Sequence, residues 1–222
     1  MDKIVSLQEA VSKIKDGDVV MVGGFLSCGS PNKLLKYIAE HTDLKELTLV
    51  CNDTAFPEKG VGPMVVKKKF SRIYTSHIGT NRETGRQMIE KETEVILVPQ
   101  GTLAERVRAA GYGLGGVLTK TGVGVAEIEE GKQVIEVQGK RYILEEALHG
   151  DVALLNARWV DKFGNLKYDG STVNFNNIMA FACDTVIVEA DEIVEVGEID
   201  QNEVVTPGIL VDYIVDGGEI DG

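Results

Sequence analysis

The stretch between Glu94 and Gly116 restricts the possible folds of this chain more than any other segment. It starts with an apolar and mainly β-branched run at residues 95–98, a pattern that predicts a strand buried on both faces of a parallel sheet. Pro99 has no backbone N–H group for a sheet hydrogen bond, so the strand should end there. Gln100 is then expected at the carboxyl end of a strand, the edge at which open α/β sheets bind ligands.

A helix is predicted shortly after this strand. Thr102 and Glu105 have the spacing of a capping box, and residues 103–110 are mostly good helix formers. Gln100 and Gly101 should therefore form a short turn between the strand and the helix. A side-chain amide in this turn can donate a hydrogen bond to a carbonyl oxygen that becomes negative during acyl transfer.

The rest of the chain alternates in the same way between strand-like and helix-like segments. Further buried strands are predicted at residues 19–22, 47–50, 73–75, 151–156 and 185–189. Helices are predicted to begin at the capping residues Ser6, Ser30 and Thr80. The resulting fold class is α/β, a single doubly wound and mostly parallel sheet flanked by helices, with a small hairpin near residues 134–144. One domain should span residues 1–215, and residues 216–222 should form a frayed polar tail.

Charge and cysteine content exclude several classes of protein. The net charge of −12 argues against binding to nucleic acid or to anionic membranes, because both need a dense basic surface. No apolar run approaches the ~20 residues of a membrane span, and the N-terminus lacks the apolar core of a signal peptide. The three cysteines, Cys28, Cys51 and Cys183, are widely spaced, which is typical of free thiols in a reducing compartment. A cytoplasmic protein is predicted.

The glycines between Gly111 and Gly116 match the pattern of a dinucleotide-binding loop. In such a loop the glycines follow a strand and open a helix. Here they follow the predicted helix and lead into what should be an irregular loop, so a nicotinamide or flavin site is rejected.

Two amide side chains stand out as candidate functional groups. Asn52 and Gln100 each come just after an apolar strand, beside glycine-containing loops. Either amide can simply satisfy the backbone of a turn. Both can equally serve a site that handles a thioester or a carboxylate, and the residues alone leave this choice open. The sequence offers no evident activated nucleophile.

Five segments together resemble the family I coenzyme A transferases. The first carries a Gly-Gly-Phe signature and the second a Pro-Gln-Gly-Thr hallmark. The similar segments are Asp16 to Pro31, Val98 to Arg106, Tyr142 to Ala147, Gly150 to Leu154, and Asn174 to Asn176. The resemblance spans nearly the whole chain. It is greatest to the alpha subunit of the two-subunit enzymes that act on acetate, acetoacetate or butyrate.

This resemblance implies a reaction and a partner. In the family, a glutamate attacks an acyl-CoA thioester, and the reaction proceeds by ping-pong chemistry through a glutamyl-CoA thioester. That glutamate belongs to a Ser-Glu-Asn-Gly motif of the second subunit, and no such tetrapeptide occurs in this chain. The chain should therefore be active only with a beta subunit, in a hetero-oligomer of paired subunits. No metal and no cofactor is implied, since coenzyme A enters as a thioester substrate.

The resemblance also assigns roles to individual residues. Gln100 matches the glutamine that faces the thioester carbonyl, and Asn52 matches an active-site asparagine, although Asp53 differs from the asparagine common at the next position. The remaining implied residues line the acyl and pantetheine channel: Gly23, Gly24, Phe25, Gly101, Gly113, Gly115 and Gly116. The preferred short-chain acid is not predicted. Two other hypotheses stay open at this stage, a sugar-phosphate isomerase on a related fold and a non-catalytic CoA-binding subunit.

Overall fold

A mostly parallel sheet of eight strands forms the centre of the computed structural model, which describes residues 3–218. A second, antiparallel sheet of three strands lies beside it. The strands of the described residues, in chain order, are β1 (Val19–Val22), β2 (Leu47–Cys51), β3 (Phe70–Thr75), β4 (Glu94–Leu97), β5 (Gly116–Thr119), β6 (Val134–Val137), β7 (Lys140–Glu146), β8 (Gly150–Asp161), β9 (Leu166–Lys167), β10 (Cys183–Val194) and β11 (Tyr213–Asp216).

Helices connect most of the parallel strands. In chain order they are α1 (Leu7–Val11), α2 (Asn32–His41), α3 (Gly62–Val66), α4 (Arg82–Ile89), α5 (Gln100–Gly111), α6 (Ala126–Glu129) and α7 (Asn176–Ala182). Two short 3₁₀ helices are formed by Gly170–Val173 and Gly208–Leu210. Within residues 3–218, no helix is both long enough and apolar enough to cross a membrane.

The strand order of the central sheet is β11-β10-β8-β1-β2-β3-β4, with β9 paired antiparallel to β8 and all other pairs parallel. From β1 the chain adds β2, β3 and β4 on one side, and then returns to place β8, β10 and β11 on the other. The reversal makes the gap between β1 and β8 a topological switch point, where the loops on the two sides diverge and leave a crevice. The predicted fold class is confirmed.

Alternate residues of the strands pack on opposite faces of the sheet, and each face has its own core. In β1, Val20 and Val22 pack with helices α1, α2 and α3, whereas Met21 packs with α5 and α7. Helices therefore cover both faces, as expected for parallel strands that are apolar throughout.

The small sheet has the order β5-β7-β6. Its β6–β7 hairpin confirms the hairpin predicted near residues 134–144. The prediction of a loop after Gly116 is wrong, because Gly116–Thr119 forms strand β5 and Gly116 pairs with Glu146. A Cβ atom on Gly116 would lie 2.5 Å from the carbonyl oxygen of Glu145, so this glycine is needed for the close approach of the two strands.

Strand β4 is not buried on both faces, and that prediction is wrong. Glu94 and Leu97 are exposed, and Leu97 keeps 53% of its accessible surface. The reason is its position: β4 pairs only with β3 and forms the edge of the sheet. The apolar, β-branched pattern of β4 indicates a strand, but it does not indicate whether that strand has one neighbour or two.

The three predicted helices are present, but the predicted capping residue is correct in only one of them. Ser6 is the N-cap of α1, and its hydroxyl accepts a hydrogen bond from the Glu9 amide at 3.2 Å. Ser30 does not cap α2, because its hydroxyl donates to the carbonyl of Gly23. Thr80 does not cap α4 either: its hydroxyl donates to the carbonyl of Ala55, and the neighbouring Asn81 is the cap. Both hydroxyls instead join loops at the carboxyl edge of the sheet.

Helix α5 begins at Gln100, earlier than predicted. Its first backbone hydrogen bond runs from the Leu103 amide to the Pro99 carbonyl, so Gln100 and Gly101 are already helical. Thr102 lies inside the first turn, buried, and its hydroxyl has no hydrogen-bond partner within residues 3–218. The predicted capping box of Thr102 and Glu105 is therefore wrong, and Glu105 pairs with Arg108 instead.

The predicted polar tail begins too early. Asp216 is the last residue of β11, which pairs with β10 at the edge of the sheet. Residues 219–222 lie outside the described part of the chain. The prediction of one domain over residues 1–215 stays a prediction.

Candidate active site

A cavity of about 330 Å³ opens at the carboxyl ends of the central strands. It lies where the loops after β1 and β2, the start of α5 and the start of α7 meet, at the topological switch point of the sheet. Its lining residues are Phe25, Asn52, Gln100, Ala104, Ser171, Asn174, Phe175 and Ile178. Both amide residues predicted to be functional therefore line the same cavity.

The side chains of Gln100 and Asn52 are joined by a hydrogen bond. The Gln100 Nε2 atom donates to Asn52 Oδ1 at 2.8 Å. Asn52 is buried in the turn after β2, whereas Gln100 is exposed in the first turn of α5. One proton of the Gln100 amide is used in this bond, and the second remains available at the mouth of the cavity.

Ser76, in the loop after β3, helps to orient Asn52. The Ser76 hydroxyl lies 3.1 Å from Asn52 Oδ1 and 2.6 Å from the Asn52 carbonyl oxygen. The single Ser76 hydroxyl proton is shared between these two oxygens, and Oδ1 also accepts from Gln100, so the amide plane of Asn52 is held in one orientation. The Nδ2 group of Asn52 makes no hydrogen bond within residues 3–218, so it is free to donate to a ligand in the cavity.

The start of α5 adds positive polarity to the cavity. Pro99 is its N-cap and offers no side-chain hydrogen bond, so the first-turn N–H groups of this helix lack a cap. A helix N-terminus carries a partial positive charge and stabilises anions nearby. Gln100 thus combines a side-chain donor with the positive end of a helix.

Phe25 lines the cavity and lies directly before the turn of a tight hairpin. The backbone of Phe25 and Cys28 exchanges two hydrogen bonds, of 2.9 and 2.8 Å. Between them Leu26 and Ser27 have φ angles of +48° and +74°, as a type I′ turn requires. The Asp53 carboxylate accepts a hydrogen bond from the Leu26 amide at 3.0 Å. Asp53, directly after Asn52, therefore ties this hairpin to the loop that carries the asparagine.

Gly23 and Gly24 permit close packing behind the hairpin. A Cβ atom on Gly23 would lie 1.8 Å from Asn176 Oδ1, and one on Gly24 would lie 1.9 Å from Ser30 Oγ. Gly24 also has a φ of +120°, in a region that other residues rarely adopt. These two glycines therefore shape the loop beside the cavity.

Asn174 and Asn176 hold the loop of residues 23–29 in place. The side chain of Asn174 accepts from the Gly24 amide at 3.0 Å and donates to the Cys28 carbonyl at 3.0 Å. Asn176 donates to the Gly29 carbonyl at 2.8 Å. Reasoning from single residues missed both roles, since Asn174 and Asn176 appeared only within a family motif. Their one sequence signal is a polar pair that flanks Phe175 before an apolar helix.

None of the lining residues is an activated nucleophile. The exposed thiol of Cys28, in the loop after β1, lies 3.6 Å from the hydroxyl of the lining residue Ser171. Cys51 is buried on β2, and burial raises its pKa well above the ordinary value. It is therefore a poor source of thiolate at neutral pH. Asp53 is close, but both of its carboxylate oxygens accept backbone hydrogen bonds, from Leu26 and Ala55. The eight lining residues can bind and polarise a carbonyl or carboxylate, and none of them is a carboxylate or a thiol that could attack it.

The sequence profile of the Coenzyme A transferase family matches residues 4–217. The chain belongs to this family. It is 47% identical over 213 residues to the alpha subunit of acetate CoA-transferase from Escherichia coli K12, covering 96% of both chains. It is 46% identical over 213 residues to the alpha subunit of acetoacetyl-CoA:acetate/butyrate CoA transferase of Clostridium acetobutylicum, covering 96% of this chain and 97% of that one.

Solved structures show the same fold. An acyl-CoA transferase of Escherichia coli O157:H7, determined as a thioester complex with CoA, superposes with a TM-score of 0.86 at 21% identity. The alignment covers 97% of this chain but only 47% of that transferase, so the present chain corresponds to about half of it. The family predicted from the motifs is confirmed, and the sugar-phosphate isomerase hypothesis finds no support.

The predicted channel residues of this coenzyme A transferase chain fall into two groups. Phe25 lines the cavity, Gly23 and Gly24 lie in the loop beside it, and Gly101 follows Gln100 in α5 with open space around its Cα. The second group, Gly113, Gly115 and Gly116, lies beyond the other end of α5.

These distant glycines do not reach the cavity. Helix α5 rises about 1.5 Å per residue, so its end at Gly111 is roughly 16 Å along the axis from Gln100. Gly111 packs against Phe181, just before β10, at the amino edge of the sheet. The structure therefore does not bring Gly113, Gly115 and Gly116 together with Gln100, because a helix separates segments that are close in sequence.

A larger cavity, of about 550 Å³, lies between α2 and α3. It is lined in part by Lys36, Lys59 and Lys67, and it contains neither Gln100 nor Asn52. Its size alone does not make it the catalytic site of a transferase, because the convergent amide donors lie elsewhere.

Proposed function

We propose that this chain is the alpha subunit of a CoA-transferase that moves coenzyme A between a short-chain acyl-CoA and a carboxylate such as acetate, acetoacetate or butyrate. The observation that carries the proposal is the pair of linked amides, Gln100 and Asn52, at the mouth of a partly apolar cavity. The family membership and the names of the two relatives support the same activity.

The two amides are suited to the transition state of acyl transfer. When a nucleophile adds to a thioester, the carbonyl oxygen acquires negative charge. The free proton of Gln100 Nε2, the Nδ2 group of Asn52 and the positive end of α5 can each stabilise that charge without reorganising. Because Ser76 holds Asn52 and Asn52 holds Gln100, the donors are in position before the substrate binds.

The attacking group comes from a beta subunit in this proposal. A glutamate carboxylate of that partner adds to the acyl-CoA carbonyl, the C–S bond breaks, and an acyl-glutamyl anhydride and CoA thiolate form. The thiolate then attacks the glutamyl carbonyl, which gives the glutamyl-CoA thioester and releases the first carboxylate. The incoming carboxylate reverses both steps, so atoms and charge balance without a redox change. The absence of any acid among the eight lining residues supports a nucleophile from outside this chain.

We also propose which cofactors, subunits and cellular compartment the reaction requires. Carboxylate and thiolate supply all of the chemistry, so neither a metal nor another cofactor is required, and coenzyme A acts as a substrate. Paired alpha and beta subunits would close the cavity, which leaves Gln100 and Phe25 exposed in this chain alone. The three free cysteines and the acidic surface suit a cytoplasmic complex.

The test is reconstitution. The chain is purified alone and together with a candidate beta subunit from the same genome, and both samples are assayed for exchange of labelled acetate into acyl-CoA. We expect exchange only in the mixture. After incubation with acyl-CoA, borohydride reduction followed by mass spectrometry should modify a glutamate of the beta subunit. Exchange by this chain alone, or modification of one of its own residues, would refute the division of labour. A stable complex without exchange would favour the non-catalytic CoA-binding alternative.

A further inference from the structure

The cavity beside Gln100 is lined by four polar and four apolar residues, and we call the apolar four its apolar side. The polar residues offer amide and hydroxyl groups, and the apolar residues offer aliphatic and aromatic carbon. The polar lining residues are Asn52, Gln100, Ser171 and Asn174, and the apolar lining residues are Phe25, Ala104, Phe175 and Ile178. A ligand with a carbonyl group at one end and a short hydrocarbon chain at the other matches this division.

Ala104 lies directly behind the donor amide. It follows Gln100 by four residues on α5, so the two side chains share one face of the helix, about 6 Å apart along the axis. Ala104 is partly exposed and lines the cavity, whereas Leu103 and Val107 of the same helix are fully buried in the core. A methyl group at this position leaves space that a larger side chain would fill.

Ile178 forms the opposite part of the apolar side. It lies on α7, which packs against α5, and it contacts the same core as Ala104 while still lining the cavity. Phe175 is almost completely buried, and Phe25 belongs to the hairpin that interacts with Asp53. Among these four residues, Ala104 and Ile178 can therefore be changed with the least effect on the loops that hold the amides.

We infer that Ala104 and Ile178 determine the acyl-chain length that the transferase accepts; the inference rests on the function proposed above. With its carbonyl oxygen at the Gln100 and Asn52 amides, a substrate places its hydrocarbon chain along the face of α5 towards Ala104 and across to Ile178. One methylene in an apolar pocket changes kcat/KM by about 10–200-fold. The side chains at 104 and 178 thus discriminate acetate from butyrate and butyrate from longer acids.

The pantetheine arm of coenzyme A is the competing occupant of this apolar side. The two occupants can be separated because the acceptor acid contains no pantetheine. In ping-pong kinetics, kcat/KM for the acceptor reports its reaction with the enzyme–CoA intermediate. A side chain that contacts the acyl group changes the ratio of kcat/KM between two acids, and one that contacts pantetheine changes KM for every acyl-CoA alike.

The experiment uses the alpha–beta complex with Ala104→Leu, Ala104→Val and Ile178→Ala. Acetate, butyrate and hexanoate are compared as acceptors with one acyl-CoA donor. We expect Ala104→Leu to lower the butyrate-to-acetate ratio of kcat/KM at least tenfold, with Ala104→Val between it and the wild type. Ile178→Ala should raise the hexanoate-to-butyrate ratio about tenfold. Ala126→Leu, on the exposed helix α6, is the matched control and should alter neither ratio.

Unchanged ratios, within twofold, in variants that fold and exchange acetate would overturn the inference while leaving the proposed function intact. A uniform rise in KM for acyl-CoA donors, without a change in either ratio, would do the same and would assign the apolar side to pantetheine. If Ala104→Leu fails to fold, Ala104→Val and Ile178→Ala decide the outcome. A wild-type complex without exchange would overturn the proposed function and this inference together.

Discussion

The side-chain nitrogen of Gln100 lies 2.8 Å from the side-chain oxygen of Asn52, although 48 positions separate the two residues. They follow strands β4 and β2, and β3 runs between these strands in the sheet. Ser76, which follows β3, completes the row through its hydrogen bond to Asn52. Three parallel neighbouring strands thus deliver three polar side chains to one edge, and these form a connected set of donors and acceptors.

Gln100→Ala should lower turnover of the alpha–beta complex by about 10²–10³-fold, the usual effect of removing one donor to an oxyanion. The stability of the chain should change little, because Gln100 is exposed and its one hydrogen bond goes to Asn52. Steady-state exchange kinetics and thermal unfolding check the two parts. Gln8→Ala, at an exposed position of α1, is the control. Near-normal turnover of Gln100→Ala would show that Gln100 has no catalytic role and only forms the start of helix α5.

Gly24→Ala should destabilise the folded chain by about 1–3 kcal/mol, because alanine is strained at a φ of +120° and its Cβ would clash with Ser30 Oγ. Gly85→Ala provides the contrast. Gly85 lies inside α4, and a Cβ atom there would meet no other atom within 4 Å, so alanine should stabilise the chain by about 0.5–1 kcal/mol. Urea unfolding of both variants measures the difference. Equal effects of the two substitutions, or a stable Gly24→Ala, would contradict the packing of this loop.

Asn176→Asp should lower the free energy of unfolding by roughly 2–4 kcal/mol, because two partly buried carbonyl groups lose their donor. The Asn176 amide donates to the carbonyls of Gly29 and Thr172, each at 2.8 Å, and a carboxylate would place an oxygen against both. The neighbouring Asn177→Asp is the control, since the Asn177 side chain makes no hydrogen bond within residues 3–218. Similar melting temperatures for the two variants would show that Asn176 does not anchor the loop of residues 23–29.

Glu189→Gln should change the pH dependence of stability. Burial raises the pKa of the Glu189 carboxyl to about 7, against the opposing effect of backbone N–H groups of Leu34 and Lys33. Between about pH 4.5 and 7 the Glu189 carboxyl keeps its proton in the folded chain and loses it in the unfolded chain. The free energy of unfolding of the wild type therefore falls as pH rises through this range. The glutamine variant has no charge to bury. The free energy of unfolding of the variant minus that of the wild type should therefore be roughly 3 kcal/mol larger at pH 8 than at pH 5.

Urea unfolding at these two pH values checks the Glu189 prediction. Glu136→Gln, at an exposed position of β6 without an ion pair in the described residues, should show no such difference between pH 5 and pH 8. A Glu189→Gln variant that gains nothing at high pH would mean that the buried carboxyl is already well stabilised as an anion by the start of α2.

Several features of the fold and of the site could be predicted from local sequence. The apolar runs of β1, β2, β8 and β10 identify strands because their side chains pack on both faces of a covered sheet. Asn52 and Gln100 could be placed at strand ends because an apolar run ends shortly before each of them. Family motifs then indicated what the two amides do.

Other features depended on contacts that local patterns do not contain. Thr102 has the spacing of a cap, yet the N-cap of α5 is Pro99, three residues earlier, and the first turn has no side-chain cap. Ser30 and Thr80 look like caps, yet their hydroxyls bond to Gly23 and Ala55 in neighbouring loops. For Ser30 and Thr80, a backbone carbonyl in a neighbouring loop is the hydrogen-bond partner in place of the local helix end.

The amino-acid sequence by itself determined most strands of the central sheet, the family, and the two amides of the candidate site, because hydrophobic periodicity and motif spacing are properties of short segments. Tertiary structure alone decided that Gln100 bonds to Asn52, that Asn174 and Asn176 hold the loop after β1, and that the glycines beyond α5 lie at the opposite edge of the sheet. These outcomes depend on strand order and helix direction, which set the distances between residues that no local pattern connects.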